Sequence, residues 1–401
     1  MTCFFTYAYN AQDTIDRTVK SVLNQTCGDW VYYLCDNGST DLTRSIIEEY
    51  ARKDPRIIPI YIDVNNPYEA SQIGFSKIFG SNYDYFCMVD ADDEYSPVFL
   101  EKALAFMVDK NLDAVAVGSD FIDAKSLKLC GVRQLNGNLI LDKSSSYNEY
   151  LGIYHQFFRT IWGKLYNIKL FQQFDFTNEN WEYYRIAYGG DTLFCMKAFS
   201  YAKRVGILAG SYHKYYLSHK SSSYQWNHKR VESDIILLDD ARNFLILKVG
   251  YVSPRNNELL LCVYMNALRD TLKVLLNAEL DDSARLDSLC EMFLCPHAKE
   301  LAAHGCFGAL LGDVNGQTQQ RKELFAIAAE WLLSREEVAD EQVEKYCELG
   351  EFLCAACENG QGWLTFKQLR VQFLLDNGRE NEAKPLLAEL DELMVKVGCK
   401  E

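Results

Sequence analysis

Apolar runs alternate with helix-spaced apolar positions along the first 90 residues of the chain. Four runs of strand character lie at residues 2–9, 30–34, 57–62 and 83–89. The intervening segments place apolar residues on one helix face, at Ile15, Val19, Val22 and Leu23, then at Leu42, Ile46, Ile47 and Tyr50, and residues 69–80 are also predicted to be helical. Because parallel strands need helical crossovers, this order predicts an α/β fold with a mostly parallel sheet flanked by helices.

The pattern changes after about residue 230, where strand-like runs stop and helical spacing continues to the end. Apolar positions in residues 364–374 lead to the helix stop Asn377-Gly378, and a second apolar face follows it from Ala383. This pair resembles one tetratricopeptide-like hairpin, but no 34-residue period is visible. About 400 residues exceed one hydrophobic core. We therefore predict two domains, residues 1–230 and an all-α domain at residues 231–401.

Acidic residues are concentrated in the second of these domains. Residues 231–401 contain 17 Lys and Arg against 30 Asp and Glu, a net charge of −13, whereas the whole chain carries −15. This balance argues against nucleic acid and against anionic membrane surfaces as partners of that domain. A solvated helical surface explains it, and a surface for a partner or an acceptor is the alternative.

The 14 cysteines are scattered, and many lie inside apolar runs. This distribution is typical of reduced, buried thiols. Without a secretory signal or an apolar stretch long enough to span a membrane, the sequence predicts a cytoplasmic protein with no transmembrane segment and at most peripheral membrane association. One cluster leaves a zinc site open, although its spacing is unusual. Its members are Cys290, Cys295, His297, His304 and Cys306.

Polar residues follow three of the predicted strands. Tyr9-Asn10 follows the first, Asp36 the second, and Asp90-Ala-Asp-Asp93 the fourth. Ligands of parallel sheets bind outside the carboxyl ends of the strands, so these clusters predict one site. Carboxylates at the end of a buried strand repel one another unless a cation neutralises them, and Mg²⁺ shares such ligands with substrate phosphates. A metal–diphosphate site is therefore predicted, with a solvated turn as the alternative.

Six motifs together resemble the family 2 glycosyltransferases. They are Phe-Thr-Tyr-Ala-Tyr-Asn at 5–10, Val-Leu-Asn-Gln-Thr at 22–26, Asp-Asn-Gly-Ser-Thr-Asp at 36–41, Val-Asp-Ala-Asp-Asp at 89–93, Ile-Trp-Gly-Lys-Leu-Tyr at 161–166 and Gly-Gly-Asp-Thr-Leu-Phe at 189–194. The resemblance implies a GT-A fold over residues 1–230. It also implies inverting, Mn²⁺- or Mg²⁺-dependent transfer from a nucleoside-diphosphate sugar, usually a UDP-sugar, to a glycan or lipid-linked acceptor.

The resemblance also assigns the donor site. Asp36 is expected to accept a hydrogen bond from the base, usually uracil, and Tyr7 and Asn10 to border the nucleoside. From their positions in the motifs, Trp162 and Lys164 are expected to line the cleft.

The same resemblance assigns the reacting groups. Asp90 and Asp92 are expected to hold the metal and diphosphate, with Asp92 as the direct ligand. Asp93 is expected to support the site or to contact the sugar. Asp191 is expected to be the general base that accepts the proton of the acceptor hydroxyl. A first-turn carboxylate that stabilises a helix N-terminus is the alternative for Asp191.

Three departures from the family pattern keep other functions open. Gly190 replaces an acidic residue, Ser71 and Gln72 replace an Arg-Asn pair, and residues 215–217 read Tyr-Tyr-Leu instead of Tyr-Tyr-Arg. A decayed sugar-nucleotide-binding scaffold is therefore one alternative. A nucleotidyltransferase is another, but it needs a glycine-rich, basic phosphate loop, which residues 8–14 do not provide.

Two further segments carry candidate ligands. Residues 147–188 contain 14 Phe, Trp or Tyr, most of them expected in the core and some on a sugar platform. Residues 212–223 are predicted to form a flexible, basic loop that closes on substrate. In this loop Lys214 and Lys220 are candidates for diphosphate contacts, and His213 or His219 for a further metal ligand.

Overall fold

The computed structural model of the chain describes residues 1–147, 153–172, 174, 188–218, 225–335 and 337–396. The chain forms two compact units. The first contains residues 1–223 and 239–252, and the second contains residues 224–238 and 253–401. The helix Arg230–Val249 is divided between them. A single boundary at residue 230 therefore stays a prediction.

The first unit is built on one mixed sheet. Its strands are β1 (Thr2–Ala8), β2 (Trp30–Asn37), β3 (Ile57–Ile62), β4 (Tyr85–Met88), β5 (Glu94–Tyr95), β6 (Ala114–Asp123), β7 (Leu129–Arg133), β8 (Leu139–Leu141), β9 (Lys164–Asn167) and β10 (Val205–Leu217). They lie in the order β3-β2-β1-β4-β9-β6-β10-β5, with β7 on β6 and β8 on β10. The flanking helices are α1 (Ile15–Leu23), α2 (Thr43–Lys53), α3 (Pro67–Phe79), α4 (Phe99–Lys110) and α5 (Gly190–Tyr201).

The first four long strands are parallel, as predicted. Strand β1 lies between β2 and β4, and it pairs Ala8 with Asp36 and Phe5 with Met88. This register brings the carboxyl ends of β1, β2 and β4 to one edge of the sheet. The three polar clusters that follow these strands therefore meet at this edge, as the sequence predicts.

The other half of the sheet is mixed. Strand β9 is antiparallel to β4 and β6, whereas β10 is parallel to β6. The predicted flexible loop is wrong for residues 212–217, because they belong to β10. There His213 pairs with Ser119 on one side and with Tyr95 on the other. Pairing with two neighbours fixes this polar segment, although its side chains lack strand-like alternation. His219 and Lys220 lie outside the described residues.

Aromatic side chains fill both faces of the sheet. Phe4 packs with Trp30 and Tyr32 on one face, and Phe5 contacts Phe75 of α3 on the other. Most described aromatic residues of the 147–188 segment belong to the core, as predicted. Tyr147, Phe157, Phe158, Trp162, Tyr166 and Phe171 are all buried. Phe176, Trp181, Tyr183 and Tyr184 lie outside the described residues.

The second unit is helical, as predicted. After α6 (Arg230–Val249), its helices are α7 (Pro254–Leu276), α8 (Asp282–Phe293), α9 (Pro296–Ala303), α10 (Val314–Leu333), α11 (Val343–Ala356), α12 (Gly360–Asp376) and α13 (Glu380–Lys396). From α10 to α13 each helix packs on the next one along the chain. The buried Glu258 accepts hydrogen bonds from the amides of Gly308 and Leu310 at 2.8 and 2.7 Å, which fixes the turn before α10.

The candidate zinc ligands of the second unit have separate surroundings. Cys295 accepts a hydrogen bond from the Ala298 amide and thereby caps α9, and Cys306 is exposed. His304 Nδ1 lies 3.1 Å from the Gly305 carbonyl oxygen. No three His, Cys, Asp or Glu side chains of the described ranges form a metal-binding group, so these residues form no zinc cluster. The cysteines in those ranges are free thiols.

Within the part of the chain that the structure describes, no helix is both long and apolar enough to cross a membrane.

Candidate active site

A tight turn of acidic residues follows β4 at the edge of the sheet. The Asp93 amide donates to the Asp90 carbonyl at 3.1 Å, which closes the turn. Helix α1 secures it from one side, because Thr18 Oγ1 donates to the Asp93 carbonyl at 2.8 Å and Arg17 Nη2 donates to the Asp92 carbonyl at 2.5 Å. The turn is thus fixed through its backbone.

The electrostatics of this turn are those of crowded carboxylates. Burial raises the pKa of Asp90 well above its usual range, and the charges of Asp93 and Asp92 raise it further. Burial also raises the pKa of Asp92, against the opposing effect of Arg17. Both shifts mean that the ionised carboxylates are disfavoured without a positive partner.

This donor set fits a hard divalent cation. Oxygen ligands suit Mg²⁺ and Mn²⁺, and a cation would offset the repulsion that raises the pKa of Asp90. The described residues hold no complete group of three His, Cys, Asp or Glu ligands here. Mg²⁺ is commonly held by one or two carboxylates together with substrate phosphates, so Asp90 and Asp92 are enough for such a site.

Asp93 supports the turn from inside the protein. Its Oδ1 accepts from the Tyr216 amide at 3.0 Å, and its Oδ2 lies 3.2 Å from His213 Nε2, an approach without hydrogen-bond alignment. Both side chains have 0% exposed surface. Burial raises the pKa of Asp93 and lowers that of His213 to about 3. Of the two roles predicted for Asp93, support agrees with this burial and a sugar contact does not.

Asp191 lies in the first turn of α5, which follows a glycine in the left-handed region. Gly189 has φ 82°, a conformation that suits glycine, and it turns the chain into the helix. The Thr192 amide donates to Asp191 Oδ1 at 2.9 Å. Burial raises the pKa of Asp191, while this amide and the cations Arg159 and Lys164 oppose the rise. A carboxylate with a raised pKa that is held near cations is suited to accept a proton.

Tyr7 lies within electrostatic range of both Asp191 and the acidic turn. Burial raises the pKa of the Tyr7 hydroxyl, and the charges of Asp90 and Asp191 both contribute. Asp191 also contributes to the raised pKa of Asp90. The three residues come from β1, the turn after β4 and α5, so the fold brings together groups that are 83 or more positions apart in sequence. Ser71 of α3 is a hydrogen-bond partner of Tyr7.

Asp36 lies at the same edge, at the end of β2. Its Oδ1 accepts from the Ser39 amide at 3.3 Å, whereas Oδ2 is buried without a hydrogen-bond partner among the described residues. Gly38 makes this loop possible, because it has φ 75° and a Cβ there would lie 2.6 Å from the backbone of Val64. A buried acceptor without a partner is unusual in a native protein, and a ligand donor would satisfy it.

Asn10 joins the loops after β1 and β2. Its side-chain Oδ1 accepts from the Thr40 backbone amide at 2.9 Å, and the Asn10 backbone amide donates to Ser39 Oγ at 3.0 Å. Asn10 has φ 47°, which Asn tolerates better than most residues. The residue thus fixes the loop of Asp36, and any contact of Asn10 with a nucleoside stays a prediction.

Trp162 and Lys164 lie deeper than the cleft position predicted for them. Trp162 is 7% exposed and stacks on His213, with ring centroids 4.6 Å apart. Lys164 is 1% exposed, and its Nζ donates to the carbonyls of Thr160 and Trp162. Burial lowers the pKa of Lys164 to about 8. A buried ammonium on backbone carbonyls has little capacity left for a ligand, so a direct donor contact of Lys164 is not supported.

Sequence reasoning missed the basic residues of this region. Arg17 and Arg159 belong to helical or irregular segments without a motif, and Arg133 ends a short exposed hairpin strand. Nothing local in the sequence of α1 indicates that Arg17 contacts the Asp92 carbonyl. Such contacts join residues 75 positions apart.

Known proteins place the first part of this chain in a family. Residues 3–172 match the family model for glycosyl transferase family 2. This part of the chain is a family 2 glycosyltransferase domain. Its mixed sheet with flanking helices is the GT-A arrangement, and the helical second unit follows it. The predicted family and fold class are therefore confirmed.

Individual relatives match only part of this chain. An uncharacterized glycosyltransferase of Haemophilus influenzae is 36% identical over 31% of this chain and 38% of its own. The putative teichuronic acid biosynthesis glycosyltransferase TuaG of Bacillus subtilis is 35% identical over 26% of this chain and 41% of its own. The chain thus spans about two fifths of the length of these curated relatives.

A solved structure matches over most of the chain, but loosely. S. aureus TarS 1–349 in complex with UDP-GlcNAc has a TM-score of 0.46 and 14% identity, over 94% of this chain and 92% of that one. A likeness at this level establishes neither a shared ligand nor a shared activity.

Proposed function

We propose that this chain is a metal-dependent, inverting glycosyltransferase that transfers a sugar from a nucleoside-diphosphate sugar, a UDP-sugar, to an acceptor hydroxyl. One observation carries the proposal. Tyr7, Asp90 and Asp191 lie within electrostatic range of one another at the carboxyl edge of the sheet. Such an arrangement places a cation-binding carboxylate and a base in one site, which is what transfer from a sugar diphosphate requires.

Asp191 is the proposed general base. Its carboxylate would accept the proton of the acceptor hydroxyl as that oxygen attacks the donor carbon from the face opposite the leaving diphosphate. One displacement inverts the configuration at that carbon. Because burial raises the pKa of Asp191, its ionised form is a stronger base than an exposed aspartate. Arg159 and Lys164 limit the rise, because their positive charges favour the ionised carboxylate.

Asp90 and Asp92 are the residues that would hold a divalent cation, Mn²⁺ or Mg²⁺. When bound, such an ion acts as a Lewis acid toward the leaving diphosphate. The chain itself contributes the rigidity of the turn, because Arg17 and Thr18 fix its carbonyls and Asp93 is locked below it. The two carboxylates are thus positioned before substrate arrives.

Asp36 is proposed to bind the base of the nucleotide. Its buried Oδ2 has no hydrogen-bond partner in the described part of the chain, and the N3–H of uracil would supply one. We therefore expect Asp36→Asn to weaken UDP binding by roughly tenfold, since the one oxygen of an amide cannot replace two carboxylate oxygens, one of which already accepts from the Ser39 amide. The measurement is the affinity for UDP and for CDP with Mn²⁺ present. Equal losses for both nucleotides would contradict a contact with uracil.

The acceptor is proposed to be a glycan or a lipid-linked saccharide. The support is the similarity to TuaG, whose name refers to teichuronic acid biosynthesis. A cytoplasmic location is proposed as well, supported by the free thiols of the described cysteines, which are typical of reducing compartments. Peripheral association with a membrane is compatible with a lipid-linked acceptor.

A decayed sugar-nucleotide-binding scaffold is the second candidate. It is favoured by Gly190, Ser71 and Gln72, which replace polar or charged residues of the family pattern. This candidate predicts nucleotide binding without turnover of any UDP-sugar. Nothing in the site favours a nucleotidyltransferase, because the loop after β1 has no glycine-rich phosphate cradle.

Nucleotide-dependent stabilisation tests the proposal. The full chain is melted with UDP, GDP, CDP or dTDP, each with and without Mn²⁺. A ligand at 100 times its Kd adds about 2.7 kcal/mol to the free energy of unfolding, a readily measured shift. We expect the largest shift with UDP and only with Mn²⁺. A shift with another nucleotide would reassign the donor, and no shift with any nucleotide would contradict both candidates.

A further inference from the structure

Arg133 is a half-buried cation without a carboxylate partner. Among the described residues, no Asp or Glu oxygen lies within 4.0 Å of its guanidinium, and its Nε is buried without a hydrogen-bond partner. The one hydrogen bond that the structure gives it runs from Nη2 to Ser119 Oγ at 3.1 Å. A guanidinium has five donors, so most of its hydrogen-bonding capacity is unused.

Aromatic rings surround this guanidinium. Its central carbon lies 5.0 Å from the ring centroid of Trp162, 5.4 Å from that of Phe121 and 5.7 Å from that of Phe157. Cation–π contacts recover only part of the cost of removing a guanidinium from water. In agreement, burial lowers the pKa of Arg133 to about 10, and no acidic group of the described residues opposes this shift. The rings hold the cation in place but do not neutralise it.

Arg133 is connected to the acidic turn through two side chains. Ser119 Oγ, which accepts from Arg133, lies 3.2 Å from His213 Nδ1, and His213 Nε2 lies 3.2 Å from Asp93 Oδ2. Arg133 also contributes to the lowered pKa of Lys164, on which Asp191 acts in the opposite direction. Arg133, which has no carboxylate partner among the described residues, therefore lies within electrostatic range of the proposed active site.

We propose that Arg133 anchors an anion subsite, which takes a phosphate or carboxylate group of a bound substrate beside the acidic turn. A guanidinium with free donors binds such oxyanions in a forked geometry, and the aromatic walls strengthen the interaction by excluding water. The identity of that group as part of a substrate rests on the proposed transferase function. The group belongs either to the donor diphosphate or to an acidic acceptor.

Stability without ligand separates this role from a structural one. In the full chain, Arg133→Met keeps the packing against the rings and removes the charge, and Arg133→Lys keeps the charge. Arg56→Met is the matched control, because Arg56 also stacks on a tryptophan, Trp30 at 3.7 Å, but is paired with Asp54 at 2.6 Å. We expect Arg133→Met to melt at the same temperature as the parent or higher, since an unpaired buried charge is lost.

Inorganic phosphate is the probe for the subsite. Melting temperatures are compared in phosphate and in chloride at equal ionic strength. We expect phosphate to stabilise the parent and Arg56→Met equally, Arg133→Lys partly, and Arg133→Met least. A parent that does not respond to phosphate, or an Arg133→Met variant that melts lower than the parent and keeps the full phosphate shift, would overturn the proposal.

UDP and uridine then distinguish the two sources of the anion. If Arg133→Met weakens UDP binding with Mn²⁺ by about tenfold and leaves uridine binding unchanged, the group is the donor diphosphate. If UDP binding is unchanged while the phosphate shift is lost, the group belongs to the acceptor. A different result would contradict the transferase proposal. In that case the parent would bind no nucleotide, although phosphate would still stabilise it.

Discussion

Asp191→Asn is expected to reduce sugar transfer by roughly 10²- to 10⁴-fold, the usual contribution of a general base. The amide keeps the size of the side chain, and its oxygen can still accept from the Thr192 amide. Folding and nucleotide binding should therefore survive. The measurement is the rate of UDP release from a panel of UDP-sugars, with and without acceptor, alongside the affinity for UDP with Mn²⁺.

The charge of Asp191 gives this variant a second signature. Asp191 contributes to the raised pKa of Asp90, so its removal makes Asp90 easier to ionise. We expect Asp191→Asn to bind Mn²⁺ and UDP at least as tightly as the parent. This change follows from the charge of Asp191 beside Asp90 and therefore tests their proximity, whereas the loss of transfer tests the base. The control is Asp313→Asn, because Asp313 caps α10 in the second unit through the Gly316 amide at 3.0 Å.

The pH dependence follows from the same carboxylate. The pKa of Asp191 in the folded protein is raised, and the base must be ionised to act. The parent rate should therefore fall as the pH decreases through this raised pKa, at a higher pH than an ordinary aspartate would cause. The Asp191→Asn rate should lack that acidic limb. A variant with the parent rate and the parent limb would show that another group is the base.

The sequence predicts the first half of the fold well because its signals there are local. Strands β1 to β4 are apolar runs, and each intervening helix has one apolar face. Strands β9 and β10 were not predicted from the sequence, and the reason is physical. They contain Lys164, His213 and Lys214, and the first two become buried only because neighbouring strands cover them. Such burial depends on partners far along the chain and leaves no local pattern.

The candidate site likewise has features that the sequence predicts and features that it does not. Asp36 lies at the end of a strand, Asp90 follows a strand and Asp191 lies in the first turn of a helix, so topology and motifs locate them together. Their environment is a tertiary property. The missing partner of Asp36 Oδ2 and the burial of Lys164 depend on loops and layers that no short segment encodes. Motif positions therefore predicted where these carboxylates lie, whereas they did not predict the burial of Trp162 and Lys164.

Replacing the proposed metal ligand is expected to remove the metal dependence of nucleotide binding. For Asp92→Asn we expect the affinity for UDP in Mn²⁺ to fall by at least about 10²-fold, because even indirect partners of a metal typically contribute 10- to 100-fold. Binding without metal should change little. The control is Asp63→Asn, which alters a side chain that is 95% exposed in the same unit. The measurement is UDP affinity with and without Mn²⁺ for the parent and both variants.

The same variant should be more stable than the parent when no metal is present. Because burial raises the folded-state pKa of Asp92 above its unfolded value, ionisation of Asp92 opposes folding. The penalty is absent below the unfolded pKa, grows as the pH rises toward the folded pKa, and is constant above it. The melting temperature of Asp92→Asn should thus exceed that of the parent increasingly over this window. Mn²⁺ with UDP should reverse the order, since only the parent gains the bound ion. A variant that keeps the parent response to Mn²⁺ would place the metal elsewhere.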